Sequence, residues 1–67
     1  MSKEGKFLVF CIEQYKSAKN LNGKQVADLF EKYRVWQYVY SFFEALHATS
    51  VECIVEDIDL YIADVSK

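Results

Sequence analysis

The sequence predicts a small all-α bundle of three to four helices. Three observations carry that reading. Apolar residues recur at i, i+3, i+4 and i+7 in successive windows. The 67 residues contain no proline and only two glycines, Gly5 and Gly23, which leaves little material for tight hairpins. A capping signature stands at residues 21–26, between two of the periodic windows.

The first helix is expected from Lys3 to Lys19. Leu8, Cys11, Ile12 and Tyr15 share one face, and Phe7, Val9 and Phe10 widen it. A strand at FLVFCI competes, but IEQYKSAKN continues with good helix formers. In LNGKQV, Asn22 and Gln25 have the spacing of a capping box, and Leu21 and Val26 that of a hydrophobic staple. The second helix then runs to about Tyr33 on Val26, Leu29, Phe30 and Tyr33. The third runs from Val35 or Trp36 to about His47, with Val35, Trp36, Val39, Phe42, Phe43 and Leu46 as its apolar set. The stripe shifts phase at Arg34–Val35, so a tight turn is expected there, one bent helix being the alternative. For the tail, TSVECIVEDIDLYIADVSK, two readings stand. One is a continuous helix on Val51, Ile54, Val55, Ile58, Tyr61, Ile62 and Val65, with Thr49 and Glu52 as a capping box. The other, favoured for its clustered β-branched residues, is a short extended segment near residues 51–55 and a helix from Ile58 to Val65 capped by Asp57.

This length gives one helical domain, residues 1–67, and a core too small for ample stability. Domains of this size usually lean on disulfides, a metal or another chain. Cys11 and Cys53 lie in apolar runs and are expected as buried thiols of a reducing compartment. No long apolar leader opens the chain, and its longest apolar run, Phe7 to Ile12, is too short to span a bilayer, so a cytoplasmic protein without membrane partners is expected.

The net charge of −2 is unevenly spread. Residues 1–34 carry seven bases and four acids. Residues 35–50 carry Glu44 alone, and residues 51–67 carry five acids against Lys67. Nucleic acid is disfavoured as a partner, because the bases are interleaved with acids and the last third is acidic. A basic protein surface would suit that end.

No catalytic, cofactor-binding or metal-binding residues are expected. His47 and Cys53 are conceivable as a nucleophilic pair, but a histidine at a helix C-terminus is ordinarily structural. The acids between Glu52 and Asp64 lack the glycine and alternate ligands of a calcium loop. There is no glycine-rich phosphate loop and no zinc-type cysteine spacing. The chain is read as a non-enzyme.

The distinctive stretch is FEKYRVWQYVYSFF, which holds seven of the eleven aromatic residues. Phe30, Tyr33, Trp36 and Phe43 fit inward stripes. Tyr38 and Tyr40 lie about 100° to either side of Val39, so the third helix is aromatic around much of its circumference. That suits a helix packed on several sides, or one with a face left for a partner, since Tyr and Trp are enriched at binding hot spots. Trp36, Tyr38, Tyr40, Glu56, Asp57 and Asp59 are the expected partner-binding residues.

The segments FCIEQYKSAKN, GKQVADLFEKY, VWQYVYSFFEALHAT and IVEDIDLYI together resemble a small bacterial family of unknown function, over about Phe7 to Ile62. Members are often encoded beside an uncharacterised protein that looks like an ADP-ribosyltransferase. The resemblance implies a toxin–antitoxin-like module in which this chain is the small neutralising partner. Family members tend to carry glycine near Arg34 and near Ser50, which this sequence lacks. Two other readings stand beside it: a homo-oligomeric structural or adaptor protein, and a DNA-binding helix-turn-helix at NGKQVADLFEKYRVWQYV.

Overall fold

A computed structural model describes residues 2–67. Among these residues the chain forms five helices and no strand: α1 Lys3–Lys19, α2 Gly23–Lys32, α3 Val35–Ser41, α4 Phe43–His47 and α5 Val51–Val65. The all-α bundle expected from the periodicity is the observed architecture.

The helix boundaries follow from local chemistry. Ser2 caps α1, its Oγ accepting from the Gly5 N–H at 3.0 Å. At the other end Asn20 adopts a left-handed conformation (φ 56°), and the Leu21 N–H donates to the Lys16 carbonyl at 3.0 Å. Asparagine tolerates that conformation better than most residues, which makes it a natural helix terminator. The capping box at α2 is complete. The Asn22 side chain accepts from the Gln25 N–H at 2.8 Å, and the Gln25 side chain accepts from the Asn22 N–H at 2.9 Å. Leu21 and Val26 join the same core cluster, as a staple requires.

The expected turn between the second and third helices is present. Arg34 sits at φ 54°, left-handed, and its N–H donates to the Glu31 carbonyl at 3.2 Å. This is where the family resemblance implies a nearby glycine, the residue that adopts such a conformation without a Cβ penalty. A long-range contact holds the turn. The Tyr61 hydroxyl lies 2.9 Å from the Tyr33 carbonyl and 3.4 Å from that of Arg34.

Three expectations about the elements are corrected. The third helix is interrupted at Phe42 (φ −112°, ψ 25°) and becomes α3 and α4. Neither proline nor glycine marks that break, and Val35, Val39, Phe43 and Leu46 keep a helical spacing across it. The extended segment near residues 51–55 does not exist: α5 is continuous, and its cap is Ser50 rather than Asp57 or Thr49, with Ser50 Oγ accepting from the Cys53 N–H at 3.3 Å. The β-branched cluster prefers strand only weakly, whereas the apolar period of α5 buries Ile54 and Ile58, and that burial decides. Finally, Cys53 is exposed; only Cys11 is a buried thiol.

The core is built from Cys11 and Tyr15 of α1, Val26 and Phe30 of α2, Val35 and Val39 of α3, Leu46 of α4, and Ile54 and Ile58 of α5. Phe43 is buried beside it, edge-on to Phe7 with ring centroids 5.4 Å apart. Both α1 and α3 touch every other helix.

Two predictions follow from this packing. Replacing Arg34 with glycine removes the Cβ penalty of the left-handed turn and should stabilise the fold by about 0.5–1 kcal/mol, after the added freedom of the unfolded chain is subtracted. Urea denaturation measures this; an unchanged or lowered midpoint would show that the strain at the turn does not exceed the entropy that glycine adds to the unfolded chain. The second concerns pH. Burial pushes the Cys11 thiol up from 9.0 to about 11. The folded state therefore holds its proton after the unfolded state has released it. The corresponding stability is complete below pH 9 and is lost as pH rises toward 11. Cys11→Ala should flatten the decline in urea midpoint that begins near pH 9, where the buried tyrosines still keep their protons.

Candidate protein-interaction surface

The six expected partner-binding residues do not form one patch; the structure distributes them over three places. Trp36 and Tyr40 stand one helical turn apart on α3 and meet edge to face, with ring centroids 6.5 Å apart and planes at 89°. Each keeps more than two-fifths of its surface in solvent, 44% for Trp36 and 45% for Tyr40. This corrects the inward assignment of Trp36. Because α3 buries Val35 and Val39, Trp36 falls about 100° from the first of them, on the flank of the helix rather than its base. There it borders a cleft of about 290 Å³ lined by Leu8 and Ile12 of α1 and Ala27, Phe30 and Glu31 of α2. Most of this lining is apolar, with a single carboxylate at the edge.

Tyr38 occupies the opposite flank of α3 and is half-buried. Its ring stacks on Tyr61 of α5 (centroids 4.5 Å, planes 18° apart) and leans on Phe42 at 5.1 Å. Burial first, and the neighbouring Asp57 carboxylate second, push its phenol above the usual range. Tyr38 thus acts chiefly in the α3–α5 contact. Phe42, part of the apolar set of the expected third helix, stands at the break between α3 and α4 and is 53% exposed.

Glu56 and Asp59 lie on α5, bordering a groove against α1. Asp59 works inside the fold as well: its Oδ1 accepts from the Tyr15 hydroxyl at 2.7 Å, and its Oδ2 pairs with the Lys19 ammonium. Burial, followed by the hydrogen bond and charge of Asp59, raises the Tyr15 phenol well above its ordinary range. Sequence reasoning missed this triad, since 44 residues separate Tyr15 from Asp59. It also missed the exposure of Val9, Phe10 and Leu60, which helical spacing alone does not rule out.

His47 stacks face to face on Phe43 at 4.8 Å and meets Phe7 edge-on, while its Nδ1 lies 3.3 Å from the Glu44 carbonyl. Its ring thus packs on aromatics at the end of α4. Among the described residues no three His, Cys, Asp or Glu side chains are grouped to hold a metal ion, and no helix is long and apolar enough to cross a membrane.

A family model described as a protein of unknown function, DUF3791, matches residues 6–64. No curated protein and no solved structure matches the chain.

The Tyr15–Asp59 contact generates a prediction about the α1–α5 side. A partly buried hydrogen bond to a carboxylate contributes about 1–2 kcal/mol, and the exposure of Asp59 to solvent favours the lower figure. Tyr15→Phe and Asp59→Asn should each destabilise by about 1 kcal/mol, and the double variant by less than the sum. Full additivity in chemical denaturation would mean that the two groups are not coupled.

Proposed function

The chain belongs to the DUF3791 family of proteins of unknown function, and from that premise we propose that it is a non-enzymatic, cytoplasmic protein-interaction module. In this reading it is the small antitoxin-like partner of a neighbouring ADP-ribosyltransferase-like protein. The observation that carries the interaction role is the Trp36–Tyr40 pair. Two large aromatic side chains on one helix face stay substantially in solvent, Trp36 at the edge of an apolar cleft, although the core of so small a chain would gain from burying them. Tyrosine and tryptophan in this setting supply large contact area with few rotamers to freeze, the usual character of an interface hot spot. The neighbouring transferase rests on the family resemblance. An acidic partner of such an enzyme would compete with an anionic dinucleotide for a basic cleft.

A homo-oligomer is the second reading, favoured by the number of exposed large apolar residues: Val9, Phe10, Phe42, Val51, Leu60 and Val65 join Trp36 and Tyr40. Light scattering separates the two, because a concentration-independent monomer removes the self-interface.

Co-expression of the chain with the adjacent transferase-like protein tests the main reading. The expected result is a stoichiometric complex, lost or weakened at least tenfold by Trp36→Ala combined with Tyr40→Ala, with the variant still helical by circular dichroism. Undiminished binding by that variant would dismiss the aromatic pair, and no complex at all would dismiss this partner.

A further inference from the structure

Resting on the protein-interaction reading, we infer that the groove between α1 and α5 takes a basic amphipathic helix of a partner protein. The groove encloses about 430 Å³, more than the cleft beside Trp36. Its composition is asymmetric. Ala18 of α1 and Val51 and Val55 of α5 make an apolar floor, and α1 contributes only short or uncharged side chains along its edge, Gln14 and Ser17. The opposite rim is a row of carboxylates, Glu52, Glu56 and Asp59.

Of that rim only Asp59 is answered within the fold, by Lys19 and Tyr15. Among the described residues the ion pairs of the chain join Lys16 to Glu13, Lys19 to Asp59, Lys24 to Asp28 and Lys67 to Asp64, so Glu52 and Glu56 take part in none. They stand at i and i+4 on one helix, where like charges repel. The facing edge of α1 offers Lys19, which already pairs with Asp59.

These features select the occupant. A helix laid in a groove presents apolar residues at i, i+3 and i+4 to the floor and its flanks to the rim. From Val51 to Asp59 the rim spans about 12 Å, or two helical turns. A helix of that length seats one or two aliphatic side chains on Ala18, Val51 and Val55. Lysine or arginine on one flank then meets Glu52 and Glu56. Polyanionic ligands are repelled by the same carboxylates, and an acidic helix would add to the repulsion.

The test titrates the isotopically labelled full chain with a synthetic 14-residue helical peptide bearing leucines on one face and lysines on its flanks. A second titration uses the same peptide with every lysine changed to glutamate. The expected result is amide shifts confined to residues 14–18 and 51–59 for the lysine peptide only, weakening as salt is raised. Glu52→Lys with Glu56→Lys should reduce its affinity at least tenfold. Glu52→Gln with Glu56→Gln should give a smaller loss and controls for charge reversal. Equal binding of both peptides, shifts centred on Trp36 and Tyr40, or no binding at millimolar peptide would overturn the assignment. So would self-association of the chain that the charge-reversed variant abolishes, which would give the groove to a second copy. A transferase complex that survives charge reversal but not loss of Trp36 and Tyr40 would leave the interaction reading standing and remove the groove from it.

Discussion

Tyr15 is the side chain on which the arrangement of helices most depends. It is the last buried residue of α1, 5% exposed, and its two ends do different work. The ring meets Phe30 of α2 edge to face at 5.5 Å, while the hydroxyl reaches Asp59 of α5. One residue thereby fixes α1 against helices on both sides, and its polar tip escapes the cost of burial without a partner. Asp59 draws Lys19 onto the same point, so the end of α1 and the middle of α5 are tied by a neutral donor and a cation sharing one carboxylate.

That clamp sets the position of everything packed across it. With α2 and α5 fixed on α1, the face left open to α3 is narrow, and Val35 and Val39 fill it with small β-branched side chains. The larger neighbours are displaced to the flanks. Tyr38 goes toward α5 and finds Tyr61, whose hydroxyl in turn holds the left-handed turn at Arg34. Trp36 borders the cleft lined by α1 and α2, Tyr40 meets its ring edge to face, and both keep more than two-fifths of their surface in solvent. The exposure of the aromatic pair thus follows from α3 burying Val35 and Val39, each of which has one of the pair about 100° round the helix on its flank.

What was legible in the sequence divides along the same line. Elements set by local chemistry were readable: α1 in full, the Asn22–Gln25 capping box, and the turn at Arg34, which the phase shift of the apolar stripe betrays. The break at Phe42 was not, because its residues keep the same spacing on either side. The continuity of α5 was misjudged, because the β-branched Val51, Ile54 and Val55 weigh toward strand until the burial of Ile54 and Ile58 in the core is counted. For the candidate surface, the residue types were legible but not their grouping. Trp36, Tyr38 and Tyr40 are equally aromatic in sequence. Only the third dimension turns one of them onto Tyr61 and leaves two in solvent.

The acids of α5 make the same point about charge. In sequence, Glu56, Asp57 and Asp59 read as a single acidic run. On the helix they separate by about 100° per residue, and each meets a different environment. Asp59 is committed to Tyr15 and Lys19, and the charge of Asp57 acts on the Tyr38 phenol. Glu56 lies with Glu52 along the groove, and among the described residues neither has a basic partner in ion-pair contact. A helix with a fully solvated acidic face would keep all its carboxylates equivalent. Here the fold uses one carboxylate for its own closure, lets the charge of a second act on the Tyr38 phenol, and leaves two side by side over an apolar floor. The charge available to a partner is therefore localised beside a surface of the shape that receives a helix.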